Sequence, residues 1–231
     1  MSRRVPGHAD GMTVDVSIPP SLLAGLAASA KNGRVILGIA GPPGSGKTTL
    51  ARAVVKALAE DEPPVTAAHV PQDGFHLTNA ELDRLGLRER KGTPETFDAA
   101  AFADLLRSLR DNPAADAVAP DYDRTIHEPV PGRIAIPASA RVIIADGLYV
   151  AHDEGEWARV SACLDVVWWL DVPWDLARER LVARHVAGGR APDDASAWAD
   201  RVDATTTALV ASGRERADAV LTWRDRAWEI A

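Results

Sequence analysis

Gly41-Pro42-Pro43-Gly44-Ser45-Gly46-Lys47-Thr48 is the stretch on which the reading of this chain turns. It satisfies the pattern G-x-x-x-x-G-K-[ST] at every fixed position. Its flanks suit it. Val35-Ile36-Leu37-Gly38-Ile39-Ala40 is an apolar run that predicts a buried strand, and the run starting at Thr49 predicts a helix to Ala59. Glycines let the backbone curl so that successive N–H groups point inward. The positive end of the helix dipole then faces any phosphate held there. Gly41, Gly44, Ser45, Gly46, Lys47, Thr48 and Thr49 are therefore the expected nucleotide-binding residues. Lys47 reaches toward the terminal phosphates, and the Thr48 hydroxyl is the expected Mg²⁺ ligand.

Outward from this loop, strands and helices alternate. A leading helix is expected over 21–28, with Ser21 as its cap. A second strand spans 65–70, and Thr78 caps a short helix over 79–85. Phe102, Leu105, Leu106 and Leu109 share one face, predicting a helix over 98–110. Residues 111–137, rich in Pro and Asp, read as irregular, with one short strand near Ile134 and Ile136. Further strands are expected at 141–145, 164–170 and 219–223, and helices at 174–186 and 195–211. Several strands are apolar on both faces, which favours a mostly parallel sheet covered on both sides. The expectation is a three-layer α/β/α nucleotide-binding fold. It comprises a flexible tail over 1–20 and a single domain over 21–231, with a small lid around 175–205.

Composition narrows the function. The 231 residues, 46% apolar, suffice for one sizeable core. A net charge of −7 argues against a nucleic-acid surface. Cys163 is the lone cysteine, which excludes an internal disulfide; it reads as a small core residue. No run approaches the ~20 apolar residues of a membrane span, and no apolar segment follows Arg3-Arg4 as a signal peptide requires. A cytoplasmic location, with a small-molecule partner and neither nucleic acid nor membrane, is the expectation.

In such sheets, ligands bind beyond the carboxyl ends of the strands. Three predicted strands end in an acid: Asp73, Asp146 and Asp171. Asp73 stands where a carboxylate can face the terminal phosphate of a nucleotide gripped by Lys47. There it can orient an acceptor hydroxyl and take its proton. An Asp-Gly turn explains Asp73-Gly74 equally well from position alone. Asp146 follows a very apolar strand, as a Walker B acid does, and is the second expected Mg²⁺ ligand. Asp171 precedes a helix and reads as its cap. The chain lacks an N-K-x-D guanine-reading segment and a transporter signature.

These residues, taken in order, resemble the phosphoribulokinase, uridine kinase and pantothenate kinase superfamily. The resemblance runs from about Val35 to Trp223. It rests on the phosphate loop, Asp73-Gly74-Phe75-His76, the segment from Lys91-Gly92-Thr93-Pro94-Glu95-Thr96-Phe97-Asp98, Tyr122-Asp123-Arg124 with His127, and the strand before Asp146. It looks closest to a bacterial subgroup, some of whose members are called fructose transport system kinases. The resemblance implies an ATP- and Mg²⁺-dependent kinase acting on a hydroxyl of a nucleoside, a pantothenate-like compound or a sugar. It implies Asp73 as catalytic base, with Lys91, Tyr122, Arg124 and His127 near the acceptor; His76, like His127, reads from its own position as either a substrate contact or a loop residue. It also implies an arginine-bearing lid containing Arg178, Arg180 and Arg184, with Arg184 the choice for contact with the transferred phosphoryl group. One departure stands out: the subgroup commonly carries Glu-Gly where this chain has Asp146-Gly147. A nucleotide-dependent regulatory switch and a nucleoside monophosphate kinase are the alternatives.

Overall fold

The computed structural model describes residues 17–224 and 227–231. Six strands form the main sheet: β1 (Val35–Ala40), β2 (Ala67–Pro71), β5 (Val142–Asp146), β6 (Val166–Asp171), β7 (Ala219–Arg224) and β8 (Ala227–Ile230). Their order is β2-β5-β1-β6-β7-β8, parallel except for the final β7–β8 pair. Two further strands, β3 (Ala117–Asp123) and β4 (Glu128–Ile136), form a separate antiparallel hairpin.

β1 is buried along its whole length because it lies between β5 and β6 with helices on both faces. Its side chains alternate between two cores, as a two-residue period requires. Leu37 and Ile39 pack with Leu50, Val54 and Leu58 of α2 (Lys47–Ala59) and Leu26 of α1 (Pro20–Ala30). Ile36 packs on the other side with Phe102, Leu106 and Leu109 of α4 (Ala99–Asp111) and Val160 of α5 (Trp157–Ser161). Cys163 is buried in this second core, as expected of a small apolar residue. α3 (Asn79–Leu85) begins at Thr78, whose hydroxyl accepts from the Glu81 amide. The segment expected as a lid consists of α6 (Trp174–Ala187), α7 (Pro192–Trp198), a π-helical turn (Ala199–Asp203) and α8 (Ala204–Val210). Among the described residues, no helix is long and apolar enough to cross a membrane.

Five sequence expectations need correction. Ser21 caps nothing: it lies inside α1, whose flanking residue is Pro19, and no side chain caps that helix. The stretch 111–137 is not irregular: it carries the β3–β4 hairpin. Its prolines, Pro120, Pro129 and Pro131, read as breakers, yet a two-stranded ribbon leaves outward N–H positions that proline can occupy. The helix expected over 195–211 is instead α7, a π turn and α8, starting at Pro192 in the first helical turn. Asp171 caps nothing. The residue before α6 is Pro173, and the Asp171 carboxylate instead accepts from Arg214 Nε at 3.3 Å. The tail expected over 1–20 lies outside the described residues as far as 16. Beyond that, Ser17 bridges to Ala227, Ile18 is buried and Pro20 opens α1.

Candidate active site

The parallel strands β1, β2, β5 and β6 all end on one rim of the sheet. The loop after β1 turns into α2 through Gly44 (φ 75°) and Gly46 (φ 94°), both in the left-handed region that glycine occupies without strain. A Cβ at Gly44 would come 2.7 Å from the Ala177 carbonyl of α6, so the loop and α6 pack backbone to backbone. The first-turn amides of α2 have no partner within the helix and remain open to an anion.

Lys47 folds back over this loop. Its ammonium donates to the carbonyls of Gly41 and Pro42, each at 2.9 Å. Burial pushes its pKa down to about 8, against the attraction of Asp146 and Asp73, while Arg184 lowers it further. A phosphate in the loop would supply the negative charge that the buried ammonium lacks.

Thr48 and Asp146 meet across the β1–β5 pair. The Thr48 hydroxyl donates to Asp146 Oδ2 at 2.8 Å, and the other carboxylate oxygen lies 2.5 Å from His69 Nε2. Burial alone would raise the Asp146 pKa, but the hydrogen bond and charge of His69, the Thr48 bond and Lys47 hold it below the usual carboxylate value. The pair fits a magnesium ion of the kind that binds through few protein ligands, with water and nucleotide oxygens supplying the rest. Among the described residues, no cluster of three or more acidic, His or Cys side chains is placed to hold a metal.

Asp73 sits on a 3₁₀ turn (Gln72–Phe75) directly after β2. Gly74 brings this turn against the hairpin: a Cβ there would run into the Pro120 carbonyl of β3. The Asp73 carboxylate is half exposed and lies 3.9 Å from the Arg124 guanidinium on the hairpin turn. Behind it, His76 donates from Nδ1 to the Asp73 carbonyl at 2.9 Å. The His76 ring centroid is 4.0 Å from that of Phe97 and 4.8 Å from that of Tyr122. Burial holds the imidazole below its ordinary pKa. Burial, with Asp73 and Glu128 nearby, pushes the Tyr122 phenol up to about 12.

Of the expected acceptor residues, His76, Tyr122 and Arg124 gather around Asp73. Lys91 adjoins them, its ammonium 5.2 Å from the Tyr122 ring centre, and it donates to Asn79 Oδ1 at 2.8 Å and to the His127 carbonyl at 2.7 Å. It ties the hairpin turn to α3. The His127 side chain is exposed at the tip of that turn, with φ 54°. In the lid, Arg178 is committed to Asp200 by two hydrogen bonds. Arg180 lies against the phosphate loop, 3.4 Å from the Gly44 carbonyl, with its guanidinium 5.5 Å from the Trp223 ring centre. Arg184 is exposed on the same helix face, and among the described residues its guanidinium makes no hydrogen bond or ion pair.

Three residues escaped the sequence reading. His69 holds Asp146; its signal was a polar side chain in an otherwise small and apolar strand. Gln72 is buried and accepts from the Tyr149 amide at 2.8 Å, bracing the Asp73 turn against the loop after β5. Tyr149 donates its hydroxyl to the Gly92 carbonyl at 2.7 Å, pinning the charged 87–96 loop. Nothing local in the sequence marks either of these last two, because their partners are far along the chain.

This arrangement has relatives. The profile of the Phosphoribulokinase / Uridine kinase family matches residues 36–224. The Escherichia coli protein YggC is 32% identical over 201 residues, covering 87% of this chain and 82% of that protein. The ATP-dependent kinase-like protein notR′ of Aspergillus versicolor is 39% identical over 132 residues, 54% of this chain and 77% of its own length. A solved structure from Silicibacter sp. TM1040, provisionally called a fructose transport system kinase, superposes with a TM-score of 0.78. It shares 32% identity, and the match covers 90% of this chain and all of that one. A phosphate loop, an acid after the second strand and an acid after the Walker B strand all meet on one rim, and the chain belongs to the phosphoribulokinase/uridine kinase family of nucleotide-dependent phosphotransferases.

Proposed function

We propose that this protein transfers the γ-phosphoryl group of ATP to a hydroxyl of a small metabolite, with Asp73 as the base. The observation that carries this reading is the convergence on one rim of the sheet of Lys47 folded over the phosphate loop, the Thr48–Asp146 contact at 2.8 Å and the Asp73 turn directly after β2. The loop amides and Lys47 hold the β- and γ-phosphates. Thr48 and Asp146 hold the magnesium ion, which when bound neutralises phosphate charge. The acceptor docks beside the Asp73 carboxylate, at the exposed edge where the 3₁₀ turn meets the hairpin and Arg124. Asp73 accepts a hydrogen bond from its hydroxyl, and the oxygen attacks the γ-phosphorus. The bond to the bridging oxygen of ADP breaks, and the hydroxyl proton passes to Asp73. Arg184 stabilises the charge spread over the transferred group, and the lid keeps water from serving as acceptor. A nucleoside, a pantothenate-like alcohol and a sugar are the acceptor classes.

The experiment is an ADP-release screen against a metabolite panel with Mg²⁺ and ATP. A metabolite that raises ADP release well above the basal rate, with its own phosphorylated product detected, supports the reading. A slow ATPase that no metabolite accelerates overturns it.

A further inference from the structure

One polar side chain of this rim has no part in the transfer just described. His69 lies in β2 opposite Ile144, and Pro71 lies opposite Asp146. Residues two apart on a strand face the same way, so His69 and Asp146 stand on the face that carries α2, one step apart along the strands. The imidazole reaches across that step. Its Nε2 lies 2.5 Å from Asp146 Oδ1, while Oδ2 accepts from Thr48. The two side chains are 15% and 4% exposed, so water has little access to compete for either oxygen. A carboxylate only accepts, so the proton of this contact sits on His69 Nε2.

We infer that His69 is a positioning residue for the magnesium–nucleotide site: it takes one oxygen of Asp146 and thereby turns the other toward Thr48. The inference rests on the phosphotransferase reading above. The need for such a brace follows from the geometry: the Asp146 carboxylate can rotate, and Oδ2 stays on Thr48 while Oδ1 is held by His69. Without His69, Oδ1 would be left buried and unpaired, and the carboxylate would rotate to recover a partner. The residue thus acts through Asp146 and touches no substrate. Removing the partner that orients a metal-site ligand typically costs about 10- to 100-fold in metal affinity.

The test is calorimetric titration of ADP into the intact protein, with and without Mg²⁺, for wild type, His69→Leu and His69→Gln. In wild type, Mg²⁺ should tighten ADP binding. In His69→Leu that gain should shrink by about tenfold or more, with magnesium-free ADP affinity unchanged. His69→Gln, whose amide can still donate to Oδ1, should restore most of the gain. A brace that merely joined β2 to β5 would lower the melting temperature and leave the magnesium gain intact. That result overturns the inference, as does a His69→Gln variant no better than His69→Leu. If His69→Leu does not fold, His69→Asn carries the same expectation, being polar but too short to reach Oδ1. A wild-type protein whose ADP binding gains nothing from Mg²⁺ would instead overturn the phosphotransferase reading itself.

Discussion

The Asp73 carboxylate and the Arg124 guanidinium face each other at 3.9 Å, one from the turn after β2 and the other from the tip of the hairpin. Both are half exposed or more, so the pair adds little to stability. Its consequence is chemical: a strong acceptor and a strong donor flank the space where a hydroxyl compound would lie. Replacing Asp73 by Asn should leave ADP binding nearly intact and lower phosphoryl transfer by roughly 10²-fold or more. Steady-state rates with the acceptor found by the screen, alongside ADP titrations, check this. Near-normal turnover would remove Asp73 from the mechanism.

Gly74 provides a geometric test of the hairpin's role. A methyl group there would strike the Pro120 carbonyl, and that backbone can yield only by moving the hairpin away from the Asp73 turn. Gly74→Ala should cost about 1–3 kcal/mol of stability. It should also raise the KM for the acceptor while ADP affinity stays as in wild type. Urea denaturation and acceptor kinetics read the two effects separately. An unchanged acceptor KM would show that the hairpin does not shape the acceptor pocket.

The lid arginines should divide by task. Arg180 packs against the Gly44 carbonyl and the Trp223 ring, so Arg180→Ala should weaken ADP binding. Arg184 reaches no protein partner among the described residues but acts on the Lys47 charge. Arg184→Ala should lower kcat by about 10²-fold with little change in ADP affinity. Equal loss of binding in both variants would refute the division.

His76 sets a pH dependence. Burial lowers its folded pKa below the ordinary 6.5, so the unfolded chain binds its proton more readily. Stability from this residue is therefore present above about pH 6.5 and declines as pH falls below it, by up to about 1.4 kcal/mol per pH unit. Denaturation midpoints for wild type and His76→Phe between pH 5 and 8 test this. The variant should lose this part of the slope, and identical slopes would refute it.

The site was legible wherever its chemistry is local. The phosphate loop needs consecutive residues, and its strand and helix stand where 35–40 and 49–59 were expected, the helix beginning two residues earlier at Lys47. Thr78 as a cap and the α4 face were legible for the same reason. The hairpin was not, because proline preference is a local rule and the edges of a two-stranded ribbon relax it. β8 escaped because four residues carry too little pattern to separate a strand from a tail. The Asp171 cap failed because α6 starts after Pro173, two residues further on, which leaves the Asp171 carboxylate to Arg214.

What this chain determined by sequence alone is the class of chemistry: a loop with the full phosphate-cradle pattern, acids at strand ends, and alternating elements that close a parallel sheet. Those are short-range features, set by glycine's freedom, hydrogen-bonding side chains and apolar periodicity. Only the tertiary structure decided who serves whom. It gave Lys91 to the hairpin turn, Arg178 to Asp200, Arg180 to the loop and His69 to Asp146. Such pairings depend on which charges the packed sheet brings within a few ångströms, and sequence separation carries no record of that.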